Sequence, residues 1–228
     1  MPAADPLFEH APYRLSGTVV AALLNHRQDW ALLGEAACAA PYKAPAQRPV
    51  LGVRPPNTWA RDGDALRLPA GQDAWQVGAT LGIVIGRPAC RVPVGQALQQ
   101  VAGYLLVHDG SLPVQSHYRP ALRQRARDGC CVIGPRLVPA DAIPDPDALA
   151  VEVWIDGRCV QRTDTGSRVR PVAALLSEVS AFMTLSPGDL LLLGAAPPAP
   201  LAEVGSQVCI RIAGLGELNN RVCAEEAA

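Results

Sequence analysis

Apolar residues fall in many short runs separated by proline, glycine and polar clusters, a pattern that favours strands over long helices. Residues 17–24 form a strand-like run rich in Val and Leu, and 50–53 and 65–68 are shorter runs, closed by Pro55-Pro56 and Pro69. Residues 77–85 read as a buried strand, β-branched from Ile83 to Ile85. Residues 97–106 fit a helix running into a strand that ends near Asp109. The clearest hairpin is 151–162, where Asp156-Gly157 favours a two-residue type I′ turn. The clearest helix is 171–183: Val172, Leu175, Leu176, Val179, Phe182 and Met183 keep helical spacing, and Pro171 suits the first helical position. Residues 25–40 suggest a short helix that meets the core through Trp30, Leu32 and Leu33. Runs 190–193 and 208–212 complete a late strand region. Ser186-Pro187-Gly188-Asp189 and Gly214-Leu215-Gly216 read as turns, and 1–12 and 223–228 as loose tails.

The expectation is an α+β, mainly β chain forming one domain over 1–228, with no internal repeat and no long polar linker. A length of 228 residues is enough for one core, and 49% hydrophobic with 18% charged residues marks a globular chain. The formal net charge of -1 offers no basic excess for nucleic acid. No apolar run reaches the roughly 18 residues of a membrane-spanning helix, and 1–12 lack the basic and apolar parts of a signal peptide. The protein is therefore expected in the cytoplasm, with neither nucleic acid nor membrane as a partner. The seven cysteines are irregularly spaced without a Cys-x-x-Cys, which speaks against a zinc knuckle and for reduced, mostly buried thiols. Neither a dinucleotide-binding glycine fingerprint after a strand, nor a phosphate-binding P-loop, nor a Gly-x-Ser-x-Gly elbow occurs. The only lysine, Lys43, stands in a loop between Pro41 and Pro45, so Schiff-base chemistry is set aside.

Four segments, in order, resemble the fumarylacetoacetate hydrolase superfamily. Gly78-Ala79-Thr80-Leu81-Gly82-Ile83-Val84-Ile85-Gly86-Arg87 is similar to the second half of that family's metal strand, Glu-x-Glu-Leu-x-Val-Val-Ile-Gly-Arg. Gly103-Tyr104-Leu105-Leu106-Val107-His108-Asp109 resembles Gly-Tyr-x-x-x-Asn-Asp, with His108 for Asn. Leu185-Ser186-Pro187-Gly188-Asp189 and Ile212-Ala213-Gly214-Leu215-Gly216-Glu217-Leu218-Asn219-Asn220 resemble two later family segments. The resemblance implies a fumarylacetoacetate-hydrolase C-terminal-domain-like fold, a mixed β-sandwich or roll with a few short helices. A narrower resemblance, to the N-terminal half of the isomerase/decarboxylases of homoprotocatechuate (4-hydroxyphenylacetate) degradation, rests on Leu24-Asn25-His26, Pro41-Tyr42-Lys43-Ala44-Pro45, Arg54-Pro55-Pro56-Asn57-Thr58, Tyr118-Arg119-Pro120 and Arg127-Asp128-Gly129.

That branch removes CO₂ from 5-oxopent-3-ene-1,2,5-tricarboxylate and isomerises the product, 2-hydroxyhepta-2,4-dienedioate. The family uses Mg²⁺ or another divalent cation to stabilise an enolate. Period-two spacing puts both carboxylates of Glu-x-Glu on one strand face, and a later Asp completes the site. Here Gly78 and Thr80 stand at the Glu positions, and only the third acid, Asp109, is present. With an effective dielectric of ~20, each missing carboxylate is worth several kcal/mol beside a cation. The resemblance thus implies an incomplete site, with metal weak or absent on this chain alone.

Asp29 stands where some members carry a catalytic histidine. Neighbouring His26 is the one candidate acid or base, against the competing reading of a hydrogen-bonded structural histidine. Tyr118, Arg119 and Arg125 are candidates for holding a dicarboxylate; the alternative is a basic loop pairing with Asp109, Asp128 or a partner subunit. Arg125 and Arg54 replace family lysines, Arg54 as an anion contact or a surface residue. His10 and His117 are assigned to the surface. Three roles follow from the resemblance: a subunit of the isomerase/decarboxylase acting on a 2-oxo di- or tricarboxylate, a non-catalytic partner of a metal-binding homologous subunit, or a diverged acylpyruvate hydrolase. A homologous subunit or a homo-oligomer is the implied protein partner.

Overall fold

The short apolar runs pair across long stretches of sequence into two main sheets. The computed structural model describes residues 9–10, 13–14, 18–114, 116–118 and 121–225. Its strands are β1 (Glu9–His10), β2 (Tyr13–Arg14), β3 (Val19–Leu23), β4 (Val50–Arg54), β5 (Trp59–Ala60), β6 (Ala65–Leu68), β7 (Trp75–Gln76), β8 (Ala79–Ile85), β9 (Val101–Asp109), β10 (Cys131–Ile133), β11 (Val138–Pro139), β12 (Ala150–Ile155), β13 (Arg158–Asp164), β14 (Leu190–Leu192), β15 (Leu201–Ala202), β16 (Gln207–Ile212) and β17 (Gly216–Ala224). Four α-helices, α1 (Arg27–Leu33), α2 (Val94–Ala97), α3 (Leu122–Arg125) and α4 (Val172–Ser180), join them.

The first sheet runs β4-β3-β14-β8-β9-β10-β5, with β11 also on β9; the second runs β13-β12-β16-β17-β6. Strands β4 and β5 lie at opposite ends of the first order, yet only Pro55 to Thr58 connect them. Four residues reach ~14 Å at most, so the sheet must curl until its edges approach. The Trp59 indole N–H donates to the Arg54 carbonyl across that join at 3.0 Å. Inside the curl lie Val19, Ala21, Leu105, Val107, Ile133, Leu190 and Leu192. The alternate residues of the same strands, among them Leu81, Ile83, Tyr104 and Leu106, pack with Val151, Val153, Ile210 and Leu218 of the second sheet and with Leu175, Leu176 and Val179 of α4. Strand β8 is buried on both faces, which accounts for its unbroken apolar run. The architecture is the expected α+β, mainly β mixed sandwich and roll.

Local chemistry sets several elements as the sequence suggests. Asp156 and Gly157 adopt φ of +50° and +77° between β12 and β13, as a type I′ turn requires at both positions. Gly214 and Gly216 both take positive φ at the turn between β16 and β17. Other expectations need correction. Helix α4 stops at Ser180 and Pro171 caps it from outside, so Phe182 lies beyond the buried stripe and is 66% exposed. Helix α1 buries no residue: Leu32 is exposed, and Trp30 is held by an indole bond to the Leu24 carbonyl. Cys223 is not in a loose tail, because β17 runs to Ala224 beside β6 and Arg127 pairs with Glu225. At the other end Glu9–His10 pairs with Tyr13–Arg14. Only Cys130 and Cys131 of the seven free thiols are buried; Cys38 and Cys90 are exposed. Among the described residues no helix is long and apolar enough to cross a membrane.

Candidate functional site

Asp109 ends β9 where β8 begins, and its amide donates to the Gly78 carbonyl at 2.7 Å. The strands meet so closely there that a Cβ on residue 78 would overlap the Asp109 carbonyl oxygen. Glycine is therefore required by the backbone at the place of the family's first glutamate. Thr80 is fully buried, and its hydroxyl accepts from the Gly194 amide at 3.0 Å. It offers nothing to Asp109.

Curling of the sheet brings Arg54, at the end of β4, beneath Asp109. Pro55 keeps Arg54 extended, since the residue before proline avoids the helical region. The fully buried guanidinium donates from Nε to Asp109 Oδ1 at 2.6 Å, and its Nη2 makes an ion pair with the same oxygen. Further Arg54 bonds reach the Gly110 carbonyl at 2.8 Å and the Arg125 carbonyl. Arg125, on α3, donates from Nη2 to Asp109 Oδ2 at 2.7 Å. Burial alone would push the Asp109 carboxyl up, but the Arg125 and Arg54 charges and their hydrogen bonds hold it below the ordinary carboxylate value. Burial works against the Arg54 guanidinium, and Asp109 more than restores it.

These residues do not fit a divalent cation. Mg²⁺ seeks several hard oxygen ligands, whereas both Asp109 oxygens already accept from guanidinium groups. Gly78 has no side chain, and the Thr80 hydroxyl is taken by the Gly194 amide. Among the described residues no group of three or more His, Cys, Asp or Glu side chains is placed to hold a metal. The positive charge beside Asp109 is that of Arg54 and Arg125.

Asp109 and Arg125 open onto a cleft of about 360 Å³ whose other polar residues are Gln76, Ser111, His117 and Asp29. Sequence reasoning missed this set. Asp29 stands at the family histidine position, and that alignment was the available signal. It is held by its Oδ2, which accepts the His26 amide at 2.9 Å, and burial pushes its carboxyl up. His117, assigned to the surface, lines the cleft half-buried; burial and then the Arg125 charge lower its imidazole.

The remaining candidates separate from the cleft. His26 caps α1: its Nδ1 accepts from the Gln28 amide at 3.1 Å and its Nε2 lies 3.4 Å from the Thr163 hydroxyl. Burial and Arg168 lower it to about 4, so the ring is a neutral structural cap. Arg168 itself is buried without a hydrogen bond to any described residue, and burial lowers it to about 10 against the pull of Asp29, Asp164 and Asp147. Tyr118 is exposed outside the cleft, edge-on to Tyr42 at 6.0 Å between centroids. Arg119 lies outside the described residues. Arg54 is neither a surface residue nor an anion contact for ligand, but a buried counterion. His108 points away from Asp109, as consecutive strand residues must, and burial lowers it to about 4. Its nitrogens have no well-formed hydrogen bond; Asn220 is the looser polar neighbour.

The model of the fumarylacetoacetate hydrolase C-terminal family matches residues 18–223. The 4-hydroxyphenylacetate degradation bifunctional isomerase/decarboxylase of Salmonella dublin is 37% identical over 212 residues, 93% of this chain and 48% of that protein. The chain thus spans about half the length of the curated relatives it matches, at 48% in each of three. Among solved structures, the 5-carboxymethyl-2-hydroxymuconate delta-isomerase of Mycobacterium smegmatis is similar with a TM-score of 0.79 at 29% identity, covering 95% of this chain and 82% of that one. The 2-hydroxyhepta-2,4-diene-1,7-dioate isomerase of Mycobacterium marinum gives 0.76 at 30% identity, covering 95% and 78%. From the strand motifs to the curled sheet and the whole-chain matches, the observations agree that the chain belongs to the fumarylacetoacetate hydrolase family.

Proposed function

We propose that this chain is the metal-free half of a cytoplasmic isomerase/decarboxylase acting on 2-oxo di- and tricarboxylates. In this reading a homologous half with an intact Glu-x-Glu strand carries the enolate chemistry, on 5-oxopent-3-ene-1,2,5-tricarboxylate and then 2-hydroxyhepta-2,4-dienedioate. The present chain packs against it and stabilises it. The occupation of both Asp109 oxygens by Arg54 and Arg125 carries the reading. A cation entering here would have to displace two guanidinium groups from a buried carboxylate, against their charge. The relatives that cover the chain are isomerase/decarboxylases of about twice its length, which supports a paired arrangement.

The test is an assay of the pure chain with excess Mg²⁺, then of the chain mixed with a homologue that carries Glu-x-Glu. The expected result is no turnover and no heat of Mg²⁺ binding for the chain alone, and higher or longer-lived turnover in the mixture than for the homologue by itself. Turnover by the pure chain that Asp109→Ala abolishes would overturn the assignment.

A further inference from the structure

The cleft beside Asp109 carries positive charge without an ion. Two guanidinium groups meet one carboxylate there, so the trio keeps one net positive charge. Asp29 lines the same cleft, with its Oδ2 accepting the His26 amide. Burial pushes that carboxyl up, and the Arg168 charge acts against this shift. His117 adds no charge near neutrality, because burial and Arg125 lower it.

Some donors at this spot have no partner among the described residues. Arg125 commits Nη2 to Asp109, while its Nε and Nη1 bond to no described residue. Gln76 accepts through Oε1 from the Ser111 hydroxyl at 3.2 Å and from the Val114 amide at 3.3 Å. Its Nε2 group is left as a donor that meets no described residue. The segment from Ala195 to Ala199, only alanine and proline, forms an apolar wall of the same cleft. A volume of about 360 Å³ lies at the small end of ligand pockets, which start at ~300 Å³.

We propose that this cleft binds a short-chain carboxylate without metal. The carboxylate sits on the free edge of Arg125, with Gln76 Nε2 as second donor and the carbon chain against the Ala195 wall. The mismatch between the family's metal site and the residues present is the ground for it: the internal guanidinium pair takes the ion's electrostatic place, and Arg125 and Gln76 line the cleft with donors that bond to no described residue. Guanidinium is suited to this, since its several N–H groups can hold one carboxylate while bonding another. The inference goes beyond the pairing role proposed above and does not rest on it.

Calorimetric titration of the full chain with succinate and glutarate, and with succinamide as the uncharged control, tests the site in excess EDTA and again in excess Mg²⁺. A dicarboxylate is expected to bind equally in both buffers, and succinamide not to bind. Arg125→Gln should weaken binding about tenfold or more, the loss of one charge-assisted bond. Because that change also loosens Asp109, Ala195→Leu is the second variant. It narrows the cleft, leaves every charged group in place and should weaken binding comparably, with circular dichroism verifying the fold of both. Binding that requires Mg²⁺, no heat from either dicarboxylate, or undiminished binding by the two variants overturns the proposal. Turnover by the pure chain would end the pairing reading and leave this titration standing; a silent titration would end this proposal and leave the pairing assay standing.

Discussion

Replacing Asp109 with asparagine removes one charge and almost no volume. Arg54 would keep the Gly110 and Arg125 carbonyls and the weak Cys130 thiol as acceptors, but lose the carboxylate that neutralises it. The Arg125 side chain, 14% exposed, can turn toward solvent in the cleft, so the cost falls mainly on Arg54, which is 0% exposed. Leaving one member of a buried pair alone costs ~3–5 kcal/mol, and the retained carbonyls place this case near the lower end, ~3 kcal/mol. At ~2–4 °C per kcal/mol for a domain of this size, Tm should fall by on the order of 10 °C. Scanning calorimetry and urea unfolding, both in EDTA, measure it. A carboxylate built for a metal behaves in the opposite way: without its ion it suffers from neighbouring acids, and the amide relieves it. Asp109→Asn as stable as the parent in EDTA, or more so, would refute the internal ion pair. The double variant Arg54→Met with Asp109→Leu should recover some of the loss, because no charge is left buried without a partner beneath the site.

Further outcomes follow from other positions. His108 and His26 have folded values of about 4 against 6.5 unfolded, so between these pH values the unfolded chain holds protons that the folded one does not. Stability is therefore lost as pH falls from 6.5 toward 4, by up to ~1.4 kcal/mol per pH unit for each histidine. His108→Asn should flatten that loss in urea midpoints compared across the window, and an unchanged acid slope would show that His108 does not contribute. Gly78→Ala should cost ~1–3 kcal/mol by forcing β8 and β9 apart, read by thermal melting. The pair Gly78→Glu with Thr80→Glu should still give no calorimetric Mg²⁺ signal, and a stoichiometric one would contradict the steric argument. Gly157→Ala should cost ~1–2 kcal/mol in urea unfolding, since φ of +77° suits glycine alone.

What could be read from the sequence is what local chemistry decides. The Asp156-Gly157 turn, the buried run of β8 and the stripe on α4 each depend on residues within a few positions of one another. The absence of the Glu pair at Gly78 and Thr80 was equally plain, because it is a matter of residue identity. Arg54 was not legible. Its partner Asp109 is 55 residues away, and the two meet only because the sheet curls and brings its edges together. Strand β17 was obscured by polarity: its inward positions are Leu218, Asn220 and Val222, and the buried Asn220 breaks the apolar alternation. That asparagine is tolerated because its amide donates to the carbonyls of Arg61 and Asp64. Phe182 was misplaced because helical spacing was carried past the end of α4. Asp29 was placed at the family's histidine position, but its part in the cleft was not legible, because capping rather than hydrophobic patterning orients α1.

The close approach of Gly78 to the Asp109 carbonyl has an evolutionary consequence. A glutamate at residue 78 must first push the central strands β8 and β9 away from each other, beside a carboxylate whose two oxygens are already held by arginine. Losing Arg54 first leaves Asp109 with Arg125 as its one described counterion, and losing Asp109 first strands Arg54. Each of these single steps toward a metal centre therefore passes through a less stable protein. The contact between Gly78 and the Asp109 carbonyl and the ion pairs of Asp109 thus set a stability cost on regaining a carboxylate at this position.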